Sequence, residues 1–222
     1  MSLKMKIHIV NKYEYQENED YREIVIKIPK ESQKLEEDFE YLGLDYNNLS
    51  IQDTHILDCE VIDADDPQFS SSISLEISNI IARASDTGWT TPFQDIKNMF
   101  AIIKSLGNEE RDKLLAVLEL KKEQISNMRD AVKYGNNLDC FEFYNNIHYS
   151  ESYAEKLIED EEVGFEDIID YVDLERMGND YIQSNAGKFT EQGLIFENDS
   201  LSRRIELKSY ENNENEDVEE FE

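Results

Sequence analysis

Residues 91–122 read TPFQDIKNMFAIIKSLGNEERDKLLAVLELKK, and the fold class turns on how this stretch relates to its flanks. Phe93, Ile96, Phe100 and Ile103 recur at helical spacing, and Met99 and Leu106 widen the stripe. Thr91 is a residue type that caps helices. Pro92 suits the first helical position, where a missing N–H costs nothing. Gly107 stops this helix. Asn108 then caps a second one, with acids in its first turn and Lys121 and Lys122 in its last, as the helix dipole favours. Two helices joined by so short a turn make an αα-hairpin. The middle of the chain is therefore expected to be helical.

The flanks carry strands. Residues 5–10 (MKIHIV) read as a first strand. Residues 21–28 (YREIVIKI) read as a second, with Ile24, Ile26 and Ile28 on one face and Pro29 at its end. Residues 30–42 suit a helix through Leu35, Phe39 and Leu42, closed by Gly43. Residues 49–57 and 59–62 look extended, and the acidic run before Pro67 marks a boundary. Residues 75–84 suit a helix. Beyond the hairpin, residues 131–134 (AVKY) read as a strand and CFEFYNNI (140–147) as a helix. A Ser152–Glu155 capping box opens a further helix bearing Tyr153, Leu157 and Ile158. Residues 184–198 read as a strand pair bent at Gly187 and Gly193. The expected class is α+β, arranged as an elongated chain of three small domains. These are a sheet-plus-helix domain (1–64), a helical middle (65–122) and an α+β C-terminal domain (123–210). Residues 211–222, with seven acids and no cation, read as a disordered tail.

Charge dominates the composition. The 222 residues hold 22 Lys+Arg against 51 Asp+Glu, a formal net charge of −29, yet 39% are hydrophobic, enough to build cores. Solubility alone asks for a net charge of roughly 2–8. Such acidity disfavours direct contact with nucleic acid or anionic membrane, which need clustered cations. Cys59 and Cys140 sit in apolar settings and read as buried thiols. Without a leader-like segment or a long apolar run, the chain reads as cytoplasmic.

The acids are densest between Glu151 and Asp180. Twelve carboxylates lie there: Glu151, Glu155, Glu159, Asp160, Glu161, Glu162, Glu166, Asp167, Asp170, Asp173, Glu175 and Asp180. Only Lys156 and Arg176 oppose them. Patterns that would assign chemistry are missing. HExxH, CxxC and GxSxG do not occur, and His8, His55 and His148 share no spacing. An EF-hand register on residues 63–74 fails, with Gln68 where glycine is required and Ser74 where glutamate is required. A catalytic carboxylate pair needs one buried member with a raised pKa, and most of these acids fall at solvent-facing helical positions. No catalytic residue, metal or cofactor is expected. A carboxylate-dependent hydrolase and an acidic chaperone or decoy for a basic DNA-binding protein stand as alternatives to charge mimicry. B-DNA carries one charge per about 1.7 Å, so 29 charges at that density span roughly 50 Å. That is longer than a compact globule of this size, with a radius of gyration near 17 Å, provides.

One motif gives the acidity a context. Residues 167–198, DIIDYVDLERMGNDYIQSNAGKFTEQGLIFEN, resemble the C-terminal signature of the antirestriction protein ArdA family. Tyr171, Asp173, Glu175, Gly178 and Asp180 fall in register, and Phe189, Thr190 and Gly193 follow. Leu174, Met177 and Asn179 depart from it. Upstream, LGLDYNNLSIQDTHI (42–56) resembles a second family segment, with Asp53 retained. FQDIKNMFAIIKSLGNEERDKLLAVLEL (93–120) is similar to the family's helical pair. The family's N-terminal Trp segment is missing, and residues 65–90 look like an insertion. The resemblance implies an elongated homodimer of three-domain subunits that mimics B-form DNA. It would occupy the DNA groove of type I restriction–modification enzymes without catalysis or cofactor. In that reading Glu155, Glu159, Asp160, Glu161, Glu162, Glu166, Asp167, Asp170, Asp173, Glu175 and Asp180 form the partner-binding surface. Tyr171, Gly178, Phe189 and Gly193 hold the fold.

Overall fold

The computed structural model describes residues 3–17, 21–50, 53–160 and 173–198. The class is mixed α+β, with two three-stranded sheets and eight helices among those residues. The chain divides into two compact units. The described residues of Met1–Arg111 and Lys121–Gly135 form one, and those of Asp112–Leu120 and Asn136–Glu222 form the other.

The first unit is built on β1 (Lys4–Asn11), β2 (Glu23–Ile28) and β3 (Thr54–Ile62), antiparallel in the order β2-β1-β3. Met5, Ile7 and Ile9 are fully buried on one face, opposite Ile28, Ile26 and Ile24 of β2. A bulge falls between His8 and Ile9, where the β3 partners step from Asp58 to Ile56. The extra residue on β3 switches its parity, so Ile56 is buried together with Cys59 and Val61. A short helix α1 (Lys12–Glu17), not evident in the sequence, links β1 to β2. Helix α2 (Ser32–Tyr41) buries Leu35 and Phe39. Phe39 is wedged between Tyr46 and Phe93, with ring centroids 5.3 and 5.1 Å away.

Helix α3 (Pro67–Asp86) starts eight residues earlier than its apolar periodicity suggests. Its opening serines are the reason. Ser74 and Ser70 accept the backbone N–H groups of Val61 and Asp63, each at 2.8 Å, and Ser78 donates to Asp58 at 2.7 Å. Hydroxyls that look helix-neutral in isolation thus tie the helix to the edge strand. Asp66 caps the helix by accepting from Phe69 N–H. The 64/65 junction expected between the first two domains therefore lies inside this unit.

Helix α4 (Phe93–Ser105) begins directly after Pro92, and no side chain caps it; Thr91 is buried instead. Helix α5 (Asn108–Leu120) follows, but Asn108 is its first residue rather than its cap, and Lys121 and Lys122, expected in its last turn, lie beyond its end; the Glu110 carboxylate accepts from Gly107 N–H at 2.9 Å. Residues 131–134, expected as a strand, belong to helix α6 (Met128–Gly135). Asn127 caps it through Asp130 N–H, and Met128, Ala131 and Gly135 are buried at helical spacing. The four-residue window read as a strand was too short to reveal that period.

His55, at the start of β3, is buried against the Tyr15 ring, 5.1 Å away, and its Nδ1 has no hydrogen-bond partner. Burial, with a smaller push from Lys12, lowers its pKa below the ordinary histidine value. Below about pH 6.5 the unfolded chain takes up a proton here that the folded chain refuses. The stability of this unit is therefore expected to fall as pH drops through 6.5, a loss that levels off below the folded pKa. Loss of acidic self-repulsion acts in the opposite direction over the same range. Paired urea titrations of wild type and His55→Phe between pH 7.5 and 5 isolate the histidine. The wild type should lose stability relative to the variant, and a constant difference would contradict the assignment.

The second unit holds β4 (Phe141–Tyr144), β5 (Lys188–Thr190) and β6 (Gly193–Glu197), antiparallel in the order β4-β6-β5. The expected helix over residues 140–147 is thus corrected to a strand. Its Phe-Glu-Phe-Tyr run pairs residue for residue with β6, from Phe141 opposite Glu197 to Tyr144 opposite Leu194. Helices α7 (Ser150–Glu159) and α8 (Leu174–Ser184), with the Asp112–Leu120 part of α5, complete the unit. Helix α7 starts two residues before the expected capping box and has no side-chain cap. Ile147, Tyr153, Leu157, Ile182, Leu194 and Phe196 form the core, with Met177 and Phe189 packed against it. Two of the motif glycines are explained by close approach. A Cβ on Gly178 would lie 1.8 Å from Ser150 O, so glycine lets α8 touch α7. Gly193 has φ +145° and lies against Tyr144 O. Tyr171 and the expected tail, 211–222, lie outside the described residues.

Candidate partner-binding surface

The acidic segment builds an outward face on two helices. On α7, Tyr153, Ala154, Leu157 and Ile158 are buried, while Glu151, Glu155, Glu159 and Asp160 are exposed. The separation follows from the heptad-like alternation of the sequence, which turns one stripe to the core and the other to water. On α8, Gly178 and Ile182 face inward, and Glu175 and Asp180 face out. Because Gly178 seats against Ser150, both acidic faces belong to one body. Glu161, Glu162, Glu166, Asp167 and Asp170 lie outside the described residues.

The two cations of the segment are committed locally. Lys156 pairs with Asp160 at 2.5 Å and lies over the Tyr144 ring, 5.4 Å from its centroid. Its pKa is raised, chiefly by that hydrogen bond to Asp160. Arg176 faces Asp180 at 3.9 Å, with both side chains largely exposed. Glu151, Glu155, Glu159 and Glu175 therefore offer the least compensated charge. Asp173 has a different role: its carboxylate accepts from Arg176 N–H at 2.9 Å and caps α8. Asp173 thus serves the fold first, although its carboxylate remains exposed.

Each described acid of this set is exposed, whereas lifting a carboxyl pKa toward general-acid range takes burial. Among the described residues the buried carboxylates are in the other unit. Asp95 is pushed up by burial, with Arg129, 3.8 Å away, pulling it down and Asp130 adding to the rise. Asp63 is paired with Arg111 at 2.9 Å. Asp63 entered the sequence reading only as the first position of the failed EF-hand register and Asp95 not at all, because both oppose cations distant along the chain. Beside Asp63 an open hollow of about 350 Å³ is lined by Glu60, Pro67, Ser70 and Ser74, whose two hydroxyls are already held by β3. Among the described residues no three His, Cys, Asp or Glu side chains converge as metal ligands, and no helix is long and apolar enough to cross a membrane. Cys59 and Cys140 are buried and not joined in a disulfide, and burial raises the Cys59 pKa. No protein-family model matches the chain, and no curated protein matches it.

Proposed function

We propose that this chain is an ArdA-like antirestriction protein that mimics B-form DNA and competes for the DNA groove of type I restriction–modification enzymes. The supporting observation is the outward acidic face of α7 and α8, where Glu151, Glu155, Glu159 and Glu175 stand exposed and the neighbouring cations already face other acids. A row of fixed carboxylates replaces phosphates against a Lys/Arg-lined groove, using the complementarity that ordinarily serves DNA. The net charge of −29 extends that field over the chain. The reading carries with it three small domains, an elongated particle, a homodimer, the cytoplasm as its place of action, and partner binding without cofactor or catalysis.

The test is binding of the full chain to a type I methyltransferase core, with and without cognate DNA. Expected are mutually exclusive complexes whose affinity falls steeply with salt, as counterion-driven contacts do. A ternary complex would overturn the proposal. Binding only to a nucleoid-type basic protein would favour the decoy alternative. Small-angle scattering supplies a second check, because a compact monomer has a radius of gyration of about 17 Å and the proposal requires a clearly larger value.

A further inference from the structure

The two edges of the first sheet differ. Along β3 the hydroxyls of Ser74 and Ser70 take up the N–H groups of Val61 and Asp63, so helix α3 covers that edge. Strand β2 forms the other edge and, among the described residues, pairs with β1 alone. Its sequence, EIVIKI, is rich in β-branched residues and holds no proline. Its register with β1 runs without a bulge, from Met5 opposite Ile28 to Val10 opposite Glu23. An open, regular, apolar edge of this kind pairs readily with another strand.

The outward face of β2 carries Glu23, Val25 and Lys27, and Val25 is 46% exposed. Within its own sheet Lys27 lies directly opposite Lys6, a like-charge pair that costs stability. Lys6 is held by Glu60 of β3 at 2.5 Å, whereas no carboxylate pairs with Lys27 among the described residues. Glu23 meets His8 at 2.6 Å through one carboxylate oxygen and remains exposed. A lone lysine would blunt this edge. Here, however, Glu23 and Lys27 are opposite in sign and flank Val25 symmetrically on one face. Two β2 strands paired antiparallel about a two-fold axis at Val25 therefore set Glu23 opposite Lys27 of the second copy, on both sides of the axis, and Val25 against its own counterpart. Moving the axis to Ile24 or Ile26 would set Val25 against a charge instead.

We propose that β2 is a self-association edge, joining a second copy of this chain antiparallel across Val25, with Glu23 and Lys27 paired across the axis and the two sheets running on as one. The contact is isologous and closes as a dimer. Lys27 thereby gains the carboxylate that it lacks opposite Lys6. The inference gives a surface to the homodimer that the proposed function carries, and it does not depend on the antirestriction reading.

Sedimentation equilibrium of the full chain in moderate salt tests this. The wild type should self-associate reversibly. Lys27→Glu and Glu23→Lys each set like charges across the axis, and each should weaken association about tenfold or more. Lys27→Glu also places a carboxylate opposite Lys6, so the subunit itself is not weakened. Glu23→Lys gives up only the exposed contact with His8. An equimolar mixture of the two variants brings opposite charges together again and should associate about as tightly as wild type. In the wild type, the β2 amides that β1 does not use should exchange more slowly as protein concentration rises. A monomer at every concentration, variants that associate like wild type, no recovery on mixing, or β2 exchange that ignores concentration would each overturn the inference. A dimer indifferent to these substitutions leaves the antirestriction reading standing, whereas recovery on mixing without competition at a methyltransferase core defeats that reading alone.

Discussion

Replacing Gly178 with alanine is expected to cost the second unit roughly 3 kcal/mol or more, at the upper end of what overpacking usually costs. The added Cβ would sit 1.8 Å from Ser150 O, a backbone atom that has no rotamer to escape into. Helices α7 and α8 would have to separate, uncovering Tyr153, Leu157 and Ile182 of the core. Outside this contact an alanine at a helical position ordinarily stabilises, by about 1 kcal/mol relative to glycine, so the sign of the effect is diagnostic. Hydrogen exchange of the α7 and α8 amides reads this unit by itself. Accelerated exchange confined to those helices is the expected result, and unchanged or slower exchange would mean the crossing is not as close as described. Such a variant should also lose partner binding, since the acidic faces are held in one body by that contact.

The second large effect is expected at Phe39, where truncation to alanine should cost the first unit about 3–5 kcal/mol. The side chain is fully buried and its ring touches those of Tyr46 and Phe93, so two segments lose a shared neighbour at once. Phe39→Leu keeps most of the volume and should cost clearly less, roughly 1.5 kcal/mol. Urea titrations followed by far-UV circular dichroism distinguish the two. Equal, small losses would show that the pocket closes around the gap.

How much of this was legible in the sequence depends on the length over which a pattern ran. Strand β2 and helix α4 carry their period across many residues and end at Pro29 and Gly107, so they are readable. Residues 131–134 and 140–147 are too short for period alone to separate helix from strand. Pairing with β6 makes one a strand, and burial of Met128 and Ala131 makes the other part of a helix. Helix α8 hid for a different reason: Gly178, Asn179 and Asp180 are poor helix formers, and tertiary contact with α7 overrides their preference. The acidity of the candidate surface was visible from composition. That Asp173 is a cap while Glu155 and Glu159 are free to meet a partner needed three dimensions.

Mimicry of DNA has a kinetic signature, competition with DNA for the enzyme. The direct measurement is methyl transfer by a type I methyltransferase core at several DNA concentrations, with the full chain as inhibitor. The account predicts competitive inhibition: the half-inhibitory concentration rises in proportion to DNA, and saturating DNA restores the full rate. Inhibition that saturating DNA does not relieve, or an unchanged rate with the chain in excess over the enzyme, would contradict it.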